Sequence, residues 1–196
     1  MYRYRDITTV NVGECSSTYA QKIASGFFEK YLSGDLILDI GNKGSDNFAT
    51  ILEGAIGVDL DYPNYDGRIL PFESESVDGI WASHVLEHIP DYVNAIREWH
   101  RVLKIGGHMV ICVPHMFLYE KKMHPPSNWN ESHVRFYTPA RLLREIEETL
   151  PLNVFRIEAL NENYAPGINY AELPIDQHNP GPYEIQCVIK KIDNKM

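Results

Sequence analysis

Residues 36–46 read Leu-Ile-Leu-Asp-Ile-Gly-Asn-Lys-Gly-Ser-Asp, an apolar run that ends in two glycines. A short run of this kind suits a buried strand, and glycines directly after it suit a loop whose backbone comes close to a ligand. The spacing rules out two phosphate loops. A dinucleotide fingerprint, G-x-G-x-x-G, would place glycine at Lys43 and Asp46, and a P-loop would read G-K-[ST] where this chain reads Lys-Gly-Ser. Acids at Asp39 and Asp46 disfavour a pyrophosphate, yet tolerate a ligand carrying ammonium and sulfonium groups.

Working outward, apolar runs that suit buried strands recur at Leu36–Ile40, Ala55–Leu60, Gly79–Ala82, Met109–Val113, Val154–Leu160 and Ile185–Ile192. Helical patterns lie between several of them. Asp91–Lys104 places Tyr92, Ala95, Ile96, Trp99, Val102 and Leu103 on one face, with Gly106-Gly107 as its expected end. Thr138–Leu150 has Thr138 as N-cap, Pro139 at the first helical position and Pro151 as its stop. Tyr19–Leu32 is the expected opening helix. Strands alternating with helices imply an α/β fold: a Rossmann-like, doubly wound, mostly parallel sheet. The last two strands have no helix between them, so an antiparallel edge hairpin is expected.

In such a sheet ligands bind beyond the carboxyl ends of the strands, where strand order reverses. The loop after Ile40 occupies that place, and Asp59 ends the next strand. A carboxylate there accepts hydrogen bonds from both hydroxyls of a ribose, which points to a nucleoside with a free diol.

A chain of 196 residues suits one domain over 1–196, with a helical lead-in at 1–33 and a lid or substrate wall inserted at 114–137. Cys15, Cys112 and Cys187 are unclustered and odd in number, which argues for a reducing, cytoplasmic setting. The polar start has no signal-peptide pattern, and no apolar run is long enough to span a bilayer. A net charge of -9 argues against sequence-independent nucleic-acid binding. Within that acidic chain, His115–Arg144 carries five cations against Glu120 and Glu131, a local +3. That segment is also rich in aromatics, so it reads as a pocket wall rather than a disordered linker.

With these residues in place, the chain resembles the class I S-adenosylmethionine-dependent methyltransferases of the small methyltransferase-domain type. The resemblance runs from Gly34 to Val113 and is carried by LILDIG, GVDLD, YDGRILPF, SVDGIWASHVLEHIP and KIGGHMVICVPH. It implies S-adenosyl-L-methionine as cofactor. By position it implies that Gly41 lets the backbone approach the methionine part, and that Asp39 orients the loop or receives the ammonium through water. Asp59 and Leu60 would meet the ribose and its neighbourhood. Asp66, with the backbone of Gly67 and Arg68, would meet the adenine, and Ser83 and His84 would floor the site near the sulfur. The family pattern D-x-G-x-G-x-G has Lys43 and Ser45 in place of its later glycines, and Lys43 could reach the cofactor carboxylate.

Methyl transfer to a hydroxyl benefits from a general base, and histidine suits that task near neutral pH. The candidates are His88 first, then His84, His115 and His133. His84, Glu87 and His88 stand at i, i+3 and i+4, which is also a metal-ligand spacing. Some related O-methyltransferases use a divalent metal at an E-x-x-E-H element here. This chain has His84 in place of the first glutamate, so no metal is expected.

The stretch HPPSNWNESHVRFYTPARLLREIEE resembles bacterial methyltransferases associated with polysaccharide and surface-glycan assembly. It implies O-methylation of a sugar or other small polar acceptor, anionic in part, met by Arg135 or Arg141 with Trp129 and Tyr137 as further walls. Amines, phenols and nucleic acid ends are alternative acceptors, and a non-catalytic cofactor-binding homologue is the alternative to an enzyme. A homodimer is compatible with the sequence, which does not fix the oligomeric state.

Overall fold

The computed structural model describes residues 4–42, 48–164, 167, 169, 172–176 and 181–194. Six strands form one sheet: β1 (Ile37–Ile40), β2 (Ile56–Val58), β3 (Val77–Ser83), β4 (Leu103–Pro114), β5 (Phe155–Tyr164) and β6 (Tyr183–Lys191). Their order is β2-β1-β3-β4-β6-β5. The first four are mutually parallel, and β6 runs antiparallel to both β4 and β5. This is the doubly wound, mostly parallel sheet with an antiparallel edge pair that the sequence pattern implies.

Alternation along the strands sends side chains to two cores. Leu38, Ile40, Ile80, Ala82, Met109, Ile111, Cys187 and Ile189 pack beneath α3 (Tyr92–Val102) and α4 (Pro139–Thr149). Ile37, Trp81, Val110, Cys112 and Val188 pack on the other face, under α1 (Ser16–Ala24) and α2 (Phe27–Tyr31). Trp81 and Trp99 are both core residues, at 1% exposure.

Local chemistry sets the helix ends. Asp91 caps α3 by accepting from Asn94 N–H, and Thr138 caps α4 by accepting from Arg141 N–H ahead of Pro139. The opening helix is two pieces rather than one, because Gly26 takes a left-handed conformation at φ 66°. Helix α3 stops at Val102, and Gly106-Gly107 lie inside β4 instead of ending the helix. There the strand bulges against β3, and a Cβ on Gly107 would sit 2.7 Å from the Asp78 carbonyl oxygen. Among the described residues no helix lies between β1 and β2 or between β2 and β3, so the alternation is less complete than the sequence suggests.

The end of α3 is closed from a distance. Lys191 of β6 is buried, and its ammonium donates to the carbonyls of Leu103 (2.8 Å), His100 (3.0 Å) and Arg101 (3.5 Å). A cation there satisfies carbonyls that the helix leaves open and complements the helix dipole. Lys191→Met should therefore lower the unfolding free energy by roughly 2 kcal/mol, measured by urea denaturation.

Candidate functional site

Strand order reverses around β1, and a cleft opens beyond the carboxyl ends of β1, β2 and β3. It consists of two adjoining cavities. The smaller, about 250 Å³, is lined by Ile40, Gly41, Asn42, Asp59 and Ser83 together with Val12, Gly13, Glu14 and Phe48. The larger, about 680 Å³, shares Gly13, Glu14, Phe48 and Ser83 with it and adds Asn11, Ser16, Ser17, His84, Tyr183 and Glu184. Residues 43–47, with the expected contact from Lys43, lie outside the described residues.

Gly41 lines the smaller cavity at φ 81°, and a Cβ there would lie 2.7 Å from Val85 Cγ2. Glycine is thus required by backbone conformation and by packing on Val85. Asp39 is enclosed: its Oδ2 accepts from Ile51 N–H (2.6 Å) and from Asn42 Nδ2 (3.2 Å). Of the two roles implied for it, the geometry supports orienting the loop. Burial raises its pKa to about 7, against the lowering effect of those hydrogen bonds.

Beyond β2, Asp59 faces the smaller cavity, and its Oδ1 accepts from Leu60 N–H at 2.7 Å. Leu60 is exposed and lies over Gly67, where a Cβ would approach Leu60 Cδ2 to 3.1 Å. Asp66 Oδ1 accepts from Ile69 N–H (2.8 Å) and Arg68 N–H (2.9 Å), contacts that hold its pKa below the usual carboxylate range. Leu60, Asp66, Gly67 and Arg68 thereby form one exposed shelf next to Asp59.

The histidines separate into distinct roles. His84 follows β3 at φ 54°, with its N–H on Cys112 O (2.9 Å), and its ring lines the larger cavity. Its Nε2 lies 3.4 Å from Glu184 Oε2 and its Nδ1 3.8 Å from Glu87 Oε1. Burial lowers its pKa, but the Glu184 hydrogen bond and the charges of Glu87 and Glu184 outweigh that and raise it. His88 and His133 line neither cavity. His88 Nδ1 meets Ser132 Oγ at 2.8 Å, and His133 Nδ1 meets Glu120 Oε1 at 2.6 Å. His115 is a capping residue: its Nδ1 accepts from Phe117 N–H (3.0 Å) and Leu118 N–H (3.3 Å).

The proposed substrate wall is placed differently. Arg135 does not face the cleft: it is buried, donates to the carbonyls of Ile89 (2.5 and 2.6 Å) and Pro90 (2.8 Å), and stacks over Tyr92. Tyr137 is fully buried and donates to Glu145 Oε2 at 2.8 Å. Arg141 is turned to the same Glu145, at 3.2 Å. Trp129 donates from Nε1 to Tyr119 O at 2.7 Å. Arg135 and Tyr137 fasten the 115–137 segment to the fold, because buried guanidinium and phenol groups need internal partners, while Trp129 ties that segment to itself and Arg141 pairs within α4. The sequence reading missed Glu184, Glu14 and Tyr183. An acid inside the apolar strand run Tyr183–Lys191 was the visible signal for Glu184.

Residues 16–111 match the family model described as a methyltransferase domain. The chain carries a methyltransferase domain over these residues, and its solved structural neighbours are S-adenosylmethionine-dependent methyltransferases. Its fold is similar to a SAM-dependent methyltransferase from Aquifex aeolicus, at 12% identity and a TM-score of 0.56 over 95% of this chain and 97% of that one. It is similar also to one from Mesorhizobium loti, at 15% identity and a TM-score of 0.54 over 89% and 97%. A demethylmenaquinone methyltransferase of Staphylococcus epidermidis is 46% identical over 48 residues, 24% of this chain and 20% of that protein. The match thus spans about a fifth of the length of the curated relatives.

The cofactor of this methyltransferase is S-adenosylmethionine, and the cleft suits it. Ser83 Oγ is buried beside the cleft with no hydrogen-bond partner among the described residues, and Asp59 lines the smaller cavity. Among the described residues lining both cavities there is no lysine or arginine. A cationic nucleoside fits such a lining.

The raised Asp39 pKa gives a signed prediction. Its neutral form is the one the fold favours, so the stability this provides is complete below the unfolded value of 3.8 and is lost as pH rises toward 7. Asp39→Asn has no such titration. Its unfolding free energy relative to wild type should rise between pH 4 and pH 8 by on the order of a few kcal/mol, read by chemical denaturation across that range.

Proposed function

We propose that this methyltransferase acts on a hydroxyl of a sugar or another small polar acceptor held in the larger cavity, in the assembly of a surface glycan. The observation that carries this reading is the position of His84. It is the one histidine lining that cavity among the described residues, and its neighbour Ser83 lines both cavities. The base therefore stands where cofactor cleft and acceptor cavity meet.

Bound S-adenosylmethionine supplies a methyl group activated by a sulfonium. Asp59 would hold the ribose, the Leu60 and Asp66–Arg68 shelf would hold the adenine, and Gly41, Asn42 and Ser83 would hold the amino-acid end. His84 takes the acceptor proton on Nε2, the nitrogen beside Glu184 in the cavity wall, and that carboxylate stabilises the imidazolium formed. Asn11, Ser16, Ser17 and Tyr183 offer the hydrogen-bonding groups that a polyhydroxylated acceptor requires. Glu14 and Glu184 also line the cavity, so a neutral acceptor suits it better than the anionic one expected from the basic segment. The 115–137 segment serves as a fixed wall behind the histidines.

Two substitutions separate the parts of this reading. Asp59→Ala should weaken S-adenosylmethionine binding roughly 10- to 100-fold by calorimetry, as expected when charged hydrogen bonds are lost. His84→Ala should reduce turnover on the order of 10²- to 10⁴-fold while leaving the cofactor dissociation constant unchanged. Turnover would be followed as a mass gain on a panel of neutral glycosides, phenols and amines. Wild-type turnover in His84→Ala would remove the base from His84, and methylation confined to phenols or amines would overturn the glycan acceptor.

A further inference from the structure

Behind His84 lies a cluster that neither the cofactor cleft nor the acceptor cavity uses. Glu87 is fully buried, and among the described residues neither of its carboxylate oxygens has a hydrogen-bond partner. Leaving a carboxylate in that condition is costly, so such a group is normally paired, protonated or bound to a cation. Around it, His88 Nε2 stands 3.7 Å and His133 Nε2 3.9 Å from the same atom, Oε1. These distances are too long for hydrogen bonds. They lie near the spacing of about 3.4 Å that ligand atoms keep around a first-row ion bound at about 2.1 Å.

The other nitrogen of each ring is already engaged. His133 Nδ1 meets Glu120 Oε1 at 2.6 Å, and His88 Nδ1 meets Ser132 Oγ at 2.8 Å. Outer partners of this kind are how proteins fix the tautomer and aim of a metal-binding imidazole, and here both leave Nε2 directed at Glu87. The backbone holds the pieces together: Val134 N–H donates to Glu87 O at 2.9 Å, tying the loop segment of His133 to the Leu86–His88 turn. Ligand atoms from Glu87, His88 and His133 all lie within 4.8 Å of one another.

We infer that Glu87, His88 and His133 form a binding site for one divalent first-row transition ion. Two imidazoles and one carboxylate suit Zn²⁺, Fe²⁺, Mn²⁺ or Co²⁺, and leave coordination positions for water or another ligand. The absence of glutamate at position 84, which argued against a metal from sequence, is immaterial to this set. His133 supplies the third ligand from the 115–137 segment, and His84 keeps its place on Glu184. The ion would sit one imidazole away from the acceptor cavity, and any service to the acceptor rests on the proposed function.

The test uses the full chain, stripped with a chelator and titrated with CoCl₂ while calorimetry and visible absorption are recorded. One equivalent per chain with visible ligand-field bands is expected. Glu87→Gln and His133→Ala should abolish both signals, and Glu120→Gln should weaken binding roughly 10- to 100-fold at unchanged stoichiometry. Where Glu87→Gln does not fold by circular dichroism, His88→Ala takes its place, since that ring is 30% exposed. No binding by the wild type, or superimposable isotherms for wild type and ligand variants, would overturn the site. S-adenosylmethionine binding by the stripped protein is measured in parallel. Its loss would count against the proposed function alone, because Co²⁺ binding needs neither cofactor nor acceptor.

Discussion

The carboxylate of Glu184 is the contact on which the arrangement of this protein turns. It sits in β6, the strand inserted antiparallel beside β4, and it is buried. Oε1 accepts from Asn163 of β5 (2.7 Å), Lys22 of α1 (3.2 Å) and Thr18 of α1 (3.4 Å), while Oε2 meets His84 beyond β3 at 3.4 Å. Lys22 in turn donates to Thr18. Burial alone would raise the Glu184 pKa, yet His84 and Lys22 hold it at about 2. One ionised group thereby joins the lead-in helix, the edge strands and the end of a central strand.

That junction explains why the acceptor cavity has the walls it has. Helix α1 brings Ser16 and Ser17, β6 brings Tyr183 and Glu184, and β3 delivers Ser83 and His84. The lead-in at 4–33 is thus part of the site. Its position is fixed by several contacts, among them Lys22 on Glu184 and Tyr19, whose hydroxyl donates to Ile51 O at 2.9 Å just after the loop that follows β1. Breaking such a buried pair from one side leaves an uncompensated charge, so cleft geometry and stability depend on the same contacts.

The parts of the fold governed by short-range rules were readable from sequence. Strand alternation, the apolar face of Asp91–Lys104, the Thr138 cap and Pro139 all act within a few residues, and each element they announce is present. The end of α3 was misread because Gly106-Gly107 looks like a helix stop, whereas a contact from Lys191, distant in sequence, closes the helix at Val102. Asp59 and Ser83 were legible because strand order alone puts strand ends at the switch point. Arg135 and Tyr137 were not, since a basic, aromatic segment reads alike whether its side chains face a ligand or are turned inward to Ile89, Pro90 and Glu145. Only the partners decide, and partners lie across the fold.

The buried acids show how differently one chemical group is managed in one molecule. Asp39 is covered by a backbone N–H and Asn42, donors too few to offset burial, and its pKa rises to about 7. Glu184 gathers a lysine and an imidazole and is held ionised. Among the described residues the Glu87 carboxylate has no hydrogen-bond partner, and imidazole nitrogens of His84, His88 and His133 stand 3.7–3.9 Å from it. Burial raises its pKa, and the charges of His84 and His133 oppose that rise. A carboxylate so placed is satisfied by a proton, by imidazolium charge or by a cation set among those nitrogens. Two of the three rings are held by Nδ1 with Nε2 turned inward, and that orientation favours the cation, because a protonated ring would instead close to hydrogen-bond distance.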